Sequence, residues 1–357
     1  MKKILLIILA LLTGLLSAAC GAPKDNSQSC CAPQGNPQKK VDFNIGYLAS
    51  TGHILYFIAN DKGYFEEEGL KPNMVLFNNS GEGITAVATG KLDAGAFGSS
   101  APLVFISKGS QITIFGGQMS QGHALVAKPE QKADFAKPDY LRGKTIATIR
   151  LSSGDIVFRT AALQQGLKIG QDVDFKEMES ASAAMEAVKN GSADAAVVWT
   201  PFRKMAEQQG LNVVKYSSEV EGFANHPCCR QIANSSLLQK NPDKYEAFLR
   251  ALIKAYRFYK TNPDESIDIL SNYVNIDKKI LHDETYGKYV ESNPDPTSKA
   301  VADFYKFMKD VGYIEKDFDV KEHINTDLYK NALDSLLDKE PNDSVFNKLK
   351  EDYAKNN

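Results

Sequence analysis

Ala86-Val87-Ala88-Thr89-Gly90-Lys91-Leu92-Asp93-Ala94 returns further along the chain as Ala187-Val188-Lys189-Asn190-Gly191-Ser192-Ala193-Asp194-Ala195, and each copy is followed by a proline, Pro102 and Pro201. In both, a helix-forming run ends at a glycine, which adopts the left-handed cap at low steric cost. An aspartate follows in a tight turn, where its carboxylate can accept hydrogen bonds from turn amides. A small apolar strand then begins. One helix-to-strand unit used twice predicts an α/β protein of two similar lobes. It carries no chemistry by itself, because helices commonly lead into strands this way.

Upstream of the first copy, Val41-Asp42-Phe43-Asn44-Ile45-Gly46-Tyr47-Leu48 alternates apolar and polar residues with the period of a strand. A helix is expected over 53–62, stopped by Gly63, and a second strand over 73–77. Strand, helix, strand predicts a parallel sheet. Between the copies, 144–149 is another strand, and Leu151-Ser152-Ser153-Gly154-Asp155 leads into a helix over 156–165. A Ser/Gly loop at a helix N-terminus suits an anion; it equally suits plain capping by a serine or by Asp155. Beyond Asp243 the pattern becomes helical. Tyr245, Phe248, Leu249, Leu252, Ile253 and Tyr256 follow the spacing of an amphipathic helix, which Asn262-Pro263 ends. Further helices are expected around 267–273, 300–311 and 327–337, with a polar, loosely held tail over 341–357.

The N-terminus predicts export. Lys2 and Lys3 precede an uncharged apolar run over 4–16, then Ser17-Ala18-Ala19 and Cys20. This is the layout of a secretory signal over 1–19, and the run is shorter than the roughly 20 residues of a permanent span. A cysteine after small residues is the acceptor of a diacylglyceryl group, and the segment resembles a bacterial lipoprotein signal with Cys20 as the lipidated residue. Ser17 stands where such signals usually carry leucine. Residues 20–40, rich in Gly, Pro, Ser, Asn and Gln, read as a flexible tether.

Removing residues 1–19 leaves 338 residues, enough for two lobes. The net charge of −2 and the absence of a basic stripe exclude nucleic acid as an expected partner. Cys20, Cys30, Cys31, Cys228 and Cys229 are the cysteines, four of them in two adjacent pairs.

A family emerges from motifs taken in order: Gly46-Tyr47; Ile58-Ala59-Asn60-Asp61-Lys62-Gly63-Tyr64-Phe65-Glu66-Glu67-Glu68-Gly69-Leu70; Gly90-Lys91-Leu92-Asp93-Ala94; Leu141-Arg142-Gly143-Lys144-Thr145-Ile146-Ala147; Asp194-Ala195; and Lys260-Thr261-Asn262-Pro263-Asp264-Glu265. From 41 to 337 the chain resembles the solute-binding proteins of nitrate, sulfonate and taurine ABC importers, with the related branch that binds pyrimidine precursors of thiamine. The resemblance implies an α/β, two-lobed periplasmic-binding-protein-like fold with a hinge and a helical C-terminal part. Lobe 1 is expected over 41–128, with 225–340 returning to it, and lobe 2 over 129–224. Crossovers are expected near 124–128 and 223–226. The implied function is delivery of a small-molecule solute to an importer permease by a monomer anchored to the extracytoplasmic face of the membrane. No enzymatic activity, cofactor or metal is expected.

The resemblance places ligand contacts where strand ends face the cleft: His53, Ser99, Ser100, Gln121, Gly122, Ser152, Ser153, Gly154, Trp199, Thr200, Cys228, Cys229 and Arg230. Trp199, the single tryptophan, suits stacking on a flat ligand or a place in the core. Asn225-His226-Pro227-Cys228-Cys229-Arg230-Gln231 stays open between four readings. The cysteines are small apolar strand residues; or a metal site with His226, although adjacent thiolates of a strand point to opposite sides; or redox-active or disulfide-bonded, with Cys30 and Cys31 as candidate partners; or cleft residues with Arg230 as an anion clamp. Fungal members of the pyrimidine branch carry a cysteine run near here and act as synthases. This chain has only two cysteines and lacks the Phe-Gly that follows them there. A thiol enzyme using Cys228 or Cys229 with His226 lacks a readable third residue.

Overall fold

Phe43, Ile45 and Gly46 of strand β1 (Val41–Tyr47) are buried while Val41 and Asp42 face solvent. The computed structural model describes residues 40–77 and 79–357; the signal, Cys20, Cys30 and Cys31 lie outside the described residues. From β1 the chain forms α1 (Ile54–Asp61), α2 (Tyr64–Glu67), β2 (Leu70–Leu76), α3 (Ser80–Ala88), β3 (Ala94–Gly98), α4 (Ser100–Ser107) and β4 (Ile112–Gln121). It continues through β5 (His123–Ala127), β6 (Thr145–Thr148), α5 (Ser153–Gln164), β7 (Asp174–Glu177), α6 (Ala181–Lys189), β8 (Ala195–Trp199), α7 (Phe202–Gln208) and β9 (Asn212–Tyr216). The last part is β10 (Pro227–Asn234), α8 (Ser235–Lys240), α9 (Pro242–Thr261), α10 (Pro263–Tyr273), α11 (Lys278–Tyr286), β11 (Val290–Ser292), α12 (Ser298–Asp310), α13 (Asp327–Lys339) and α14 (Ser344–Asn356).

Two sheets result, ordered β11-β4-β10-β3-β1-β2 and β7-β6-β8-β5-β9. In the first, β1 is parallel to β2 and β3, and β10 is antiparallel to β3 and β4. In the second, β6 is parallel to β7 and β8, and β5 is antiparallel to β8 and β9. Both sheets are therefore mixed rather than purely parallel, and they share one plan. Each receives the strand that has just crossed from the other, β5 or β10, as an antiparallel neighbour of its parallel set.

The sequence repeat marks that plan. Gly90 and Gly191 take φ of 73° and 79° after α3 and α6. Asp93 and Asp194 do more than settle a turn. Asp93 accepts the amide of Asn44 in β1 at 2.8 Å, and Asp194 accepts the amide of Thr145 at the start of β6 at 2.8 Å. Each carboxylate ties the incoming strand to the neighbour it will pair with.

The first crossover corrects the expected boundary at 128. Gln121 and Gly122 have φ of 63° and 92°, and the chain turns there. His123–Ala127 already pairs with β8 and β9 of the second sheet. The chain re-enters the first sheet at Pro227. The segment 341–357 also differs from its expected loose tail. It contains α14, whose Phe346 and Leu349 are buried in the core of α9 and α13. Asn357 further accepts the Ser298 amide at 2.8 Å. Spacing of two apolar residues in a polar stretch is a weak helical signal, and burial against α13 supplies the rest.

A close backbone approach locks the C-terminal part onto β4. Gly117 donates its amide to Pro294 O at 2.7 Å. A Cβ at Gly117 would stand 2.0 Å from Asp295 O and 2.5 Å from Asn293 O, both backbone atoms that cannot rotate away. Gly117→Ala should therefore cost roughly 3 kcal/mol. A urea midpoint indistinguishable from that of the unaltered protein would show that the 293–296 segment yields freely.

Candidate ligand-binding site

The lobes meet through a few named contacts. Thr51, before α1, and Thr200, after β8, share a hydrogen bond between their hydroxyls at 2.8 Å, and Thr200 also donates to Glu284 O. Cys228 O, in β10 of the first sheet, accepts the Ser99 amide at 2.7 Å and the Ser99 hydroxyl at 3.2 Å. From the second lobe, the Ser153 hydroxyl donates to the same carbonyl at 3.3 Å. Ser99, Ser153 and Cys228 thus lie together at the junction. Ser152 caps α5 by accepting the Asp155 amide at 3.2 Å. Asp155 reaches back to accept the Leu151 amide at 3.3 Å. It is fully buried and binds Arg159, Thr148 and Tyr313.

Three of the five histidines are buried close to this junction: His53, His123 and His226. His53 Nε2 bonds to Ala96 O at 2.7 Å, and His226 Nδ1 to Phe223 O at 3.0 Å. Burial holds both rings down at a pKa of about 4, with those carbonyls partly offsetting it. His123 is held well below the ordinary value by burial, and by the charges of His226 and Arg203. Its ring centroid is 5.8 Å from that of His226. All three are neutral at pH 7. His53 Nδ1, His123 Nδ1 and His226 Nε2 find no hydrogen-bond partner among the described residues, nor do Ser100 Oγ and Gln118 Nε2. Behind them, Tyr56 donates to Gln231 Oε1, and Gln231 Nε2 bonds Gly117 O and Gln118 Oε1.

A family model described as NMT1/THI5 like matches residues 50–266. The chain belongs to this family. Among its relatives, the taurine-binding periplasmic protein of Escherichia coli is 25% identical over 269 residues, spanning 71% of this chain and 82% of that one. The formylaminopyrimidine-binding protein of Halalkalibacterium halodurans is 23% identical over 273 residues, 74% and 77% of the two chains. A Schizosaccharomyces pombe relative named 4-amino-5-hydroxymethyl-2-methylpyrimidine phosphate synthase is 23% identical over 299 residues, 78% and 84% of the two chains. The crystal structure of the periplasmic nitrate-binding protein NrtA from Synechocystis PCC 6803 superposes with a TM-score of 0.71 at 15% identity, covering 84% of this chain and 90% of that one. The fold is that of the two-lobed periplasmic binding proteins.

In this NMT1/THI5-like chain the expected contact residues divide. His53 and Ser100 present unpartnered atoms at the junction, and Ser99 and Ser153 bind Cys228 O there. Gly154 makes room for a histidine, since a Cβ there would stand 2.7 Å from His123 Cδ2. Trp199 is half-buried, edge-on to His123 and Phe202, so it packs on its own lobe. Gln121 and Gly122 belong to the crossover: Gln121 Nε2 donates to Ala224 O at 2.7 Å, and the Gly122 amide to Tyr289 O.

Arg230 is the clear correction. It is 1% exposed. Its Nε donates to Pro296 O, Nη1 to Met119 O and Cys229 O, and Nη2 to Ser120 Oγ and Thr297 Oγ1. All five guanidinium donors are spent on the protein, so Arg230 is a strut rather than an anion clamp. Among the described residues, no group of three or more His, Cys, Asp or Glu is placed to hold a metal ion, and no helix is long and apolar enough to cross a membrane.

Sequence reasoning missed His123, Gln118 and Tyr56. The one signal for His123 was its place directly after the crossover residues Gln121-Gly122. A depression of 410 Å³ opens beside His226, but its rim mixes Glu291, Asp303 and Asp352 with Lys299 and Lys355. The buried, unpartnered groups at the junction call for a hydrogen-bonding solute more directly than this solvated rim does.

Proposed function

We propose that this protein is an extracytoplasmic solute-binding protein that closes its lobes on a small polar molecule and presents it to an ABC importer, held at the membrane by a lipid on Cys20. The observation that carries the reading is the set of buried unpartnered atoms at the junction: His53 Nδ1, Ser100 Oγ, Gln118 Nε2, His123 Nδ1 and His226 Nε2. Each such atom costs about 1–3 kcal/mol while unpaired, and a solute that bonds them offsets that cost. Among the described residues, no hydroxyl or thiol there is poised beside a base with an orienting third group, so the arrangement favours binding over turnover.

The chemistry of the site points to neutral hydrogen bonding. Arg230 is spent internally, Arg203 pairs with Glu284 at 2.9 Å and Arg159 with Asp155 at 2.8 Å. Imidazoles kept neutral serve as donor or acceptor by choice of tautomer. The N-termini of α4 and α5, at Ser100 and Ser153, add a favourable field for a partial negative charge. A zwitterionic sulfonate such as taurine, or a small pyrimidine, fits this set better than a solute of high net charge.

The test is calorimetry with alkanesulfonates, taurine, nitrate and aminopyrimidines on protein extracted from membranes, whose intact mass also reports the lipid on Cys20. One class should bind, and Ser100→Ala should weaken it roughly tenfold. A panel without binding sinks the reading. A mature N-terminus lacking lipid removes the anchor alone.

A further inference from the structure

Side chains of consecutive residues in a regular strand point to opposite faces. Cys228 and Cys229 do not. Their sulfurs are 3.4 Å apart. The cause lies in β10, whose register against β4 shifts on both sides of Cys229. A bulge of this kind re-aims a side chain, and here it brings two free thiols together. Cys228 is buried and Cys229 is half-buried.

We propose that Cys228 and Cys229 are a redox modification site, closing to a vicinal disulfide that releases the carbonyl joining the two lobes. The oxidant is a small disulfide, RS–SR. The more exposed Cys229 thiolate attacks it and expels one RS⁻, which takes up the proton Cys229 gave up. Cys228 Sγ then attacks Cys229 Sγ and expels the second RS⁻, which carries off the Cys228 proton. The cysteines lose two electrons and two protons, and the small disulfide becomes two thiols. The hydrogen bond with Cys229 and burial hold the Cys228 thiol well above the usual value, which disfavours its thiolate; its contact with Cys229 Sγ at 3.4 Å offsets this by proximity. Cys228 need react only with a sulfur already in contact.

Ring closure has a geometric consequence. Adjacent Cα atoms stand about 3.8 Å apart across a trans peptide, whereas disulfides usually join Cα atoms about 4.4–6.8 Å apart. The Cys228–Cys229 peptide must twist to close the ring. Its carbonyl is Cys228 O, the acceptor of the Ser99 amide at 2.7 Å and of the Ser153 hydroxyl at 3.3 Å. Turning it parts a contact within the first lobe and one between the lobes. The effect on solute affinity rests on the function proposed above; disulfide formation does not.

The full-length protein is equilibrated in glutathione buffers of rising oxidised fraction, and remaining thiols are capped with N-ethylmaleimide. Trypsin then releases residues 216–230, which hold both cysteines. This peptide should lose two hydrogens and take no label, and reductant should reverse the change. Two labels throughout, or a cross-link to the peptide carrying Cys30 and Cys31, overturns the proposal. In parallel, hydrogen exchange at the Ser99 amide should quicken by roughly tenfold or more on oxidation, and Cys229→Ser should abolish that response. Unchanged exchange in protein whose peptide has lost its hydrogens overturns the release of the carbonyl. Both readouts are independent of any solute. A panel with no binder therefore counts against the proposed function alone, and a roughly tenfold loss of affinity on oxidation supports both.

Discussion

Lowering the pH from 7 to 5.5 should remove about 4 kcal/mol of folding stability, with three histidines as the main cause. His53 and His226 are held at about 4 and His123 well below its ordinary value, each by burial. A depressed pKa means that the unfolded chain takes up protons near 6.5 while the folded protein does not. Stability is then full above pH 6.5 and is lost as pH falls toward 4. Each imidazole contributes about 1.4 kcal/mol per pH unit in that window. The charged and titratable groups around them do not reverse the sign. Arg203 and His226 act on His123 in the same direction. Glu284, raised by burial despite Arg203, offsets part of the loss as it protonates. Glu68 and Asp343 lie below the usual carboxylate range and enter only at lower pH. Urea midpoints at pH 7.5, 6.5 and 5.5 check this, and His123→Gln should flatten the slope by about a third. A midpoint constant across the range would mean that the rings are already solvated in solution.

Replacing Arg230 should damage the fold far more than the site. Arg230→Met leaves Met119 O, Cys229 O and Pro296 O buried without a donor, together with two hydroxyls. The expected loss is roughly 5 kcal/mol, at the upper end for a single substitution. Arg230→Lys is the more informative change. An ammonium has three donors against five acceptors and lacks the planar fork, so a loss of roughly 2–4 kcal/mol is expected with solute affinity retained. Burial pulls the Arg230 pKa down to about 10, with nearby Asp295 opposing, so the side chain stays charged at neutral pH. A Lys variant as stable as the parent, but roughly tenfold weaker for sulfonates, would restore the anion clamp and refute the strut.

Much of the architecture was legible because its causes are local. A glycine that must take positive φ after a helix, and an aspartate at the head of a strand, leave a mark within nine residues, and the mark occurs twice. Alternation in 41–47 and the 3–4 spacing from Tyr245 to Tyr256 likewise report a buried face directly. The crossover at Gln121–Gly122 was harder. His-Ala-Leu-Val-Ala follows β4 after a single glycine, and only pairing with β8 and β9 assigns it to the other sheet.

The sequence by itself determined an α/β fold, two similar lobes and a helical C-terminal part, all from periodicity and turn chemistry, which act between near neighbours; the residues expected at the strand ends came from the family resemblance. Only the tertiary structure decided what those residues do. Arg230 is spent because Met119, Ser120, Pro296 and Thr297 arrive from distant segments to meet it. His123 is kept neutral because residues from distant segments bury it and the Arg203 charge opposes its own. Cys228 and Cys229 face the same way because a neighbouring strand shifts the register of their own. Hydrogen-bond satisfaction, burial and bulges depend on partners far away in sequence, and no local pattern encodes which partner arrives.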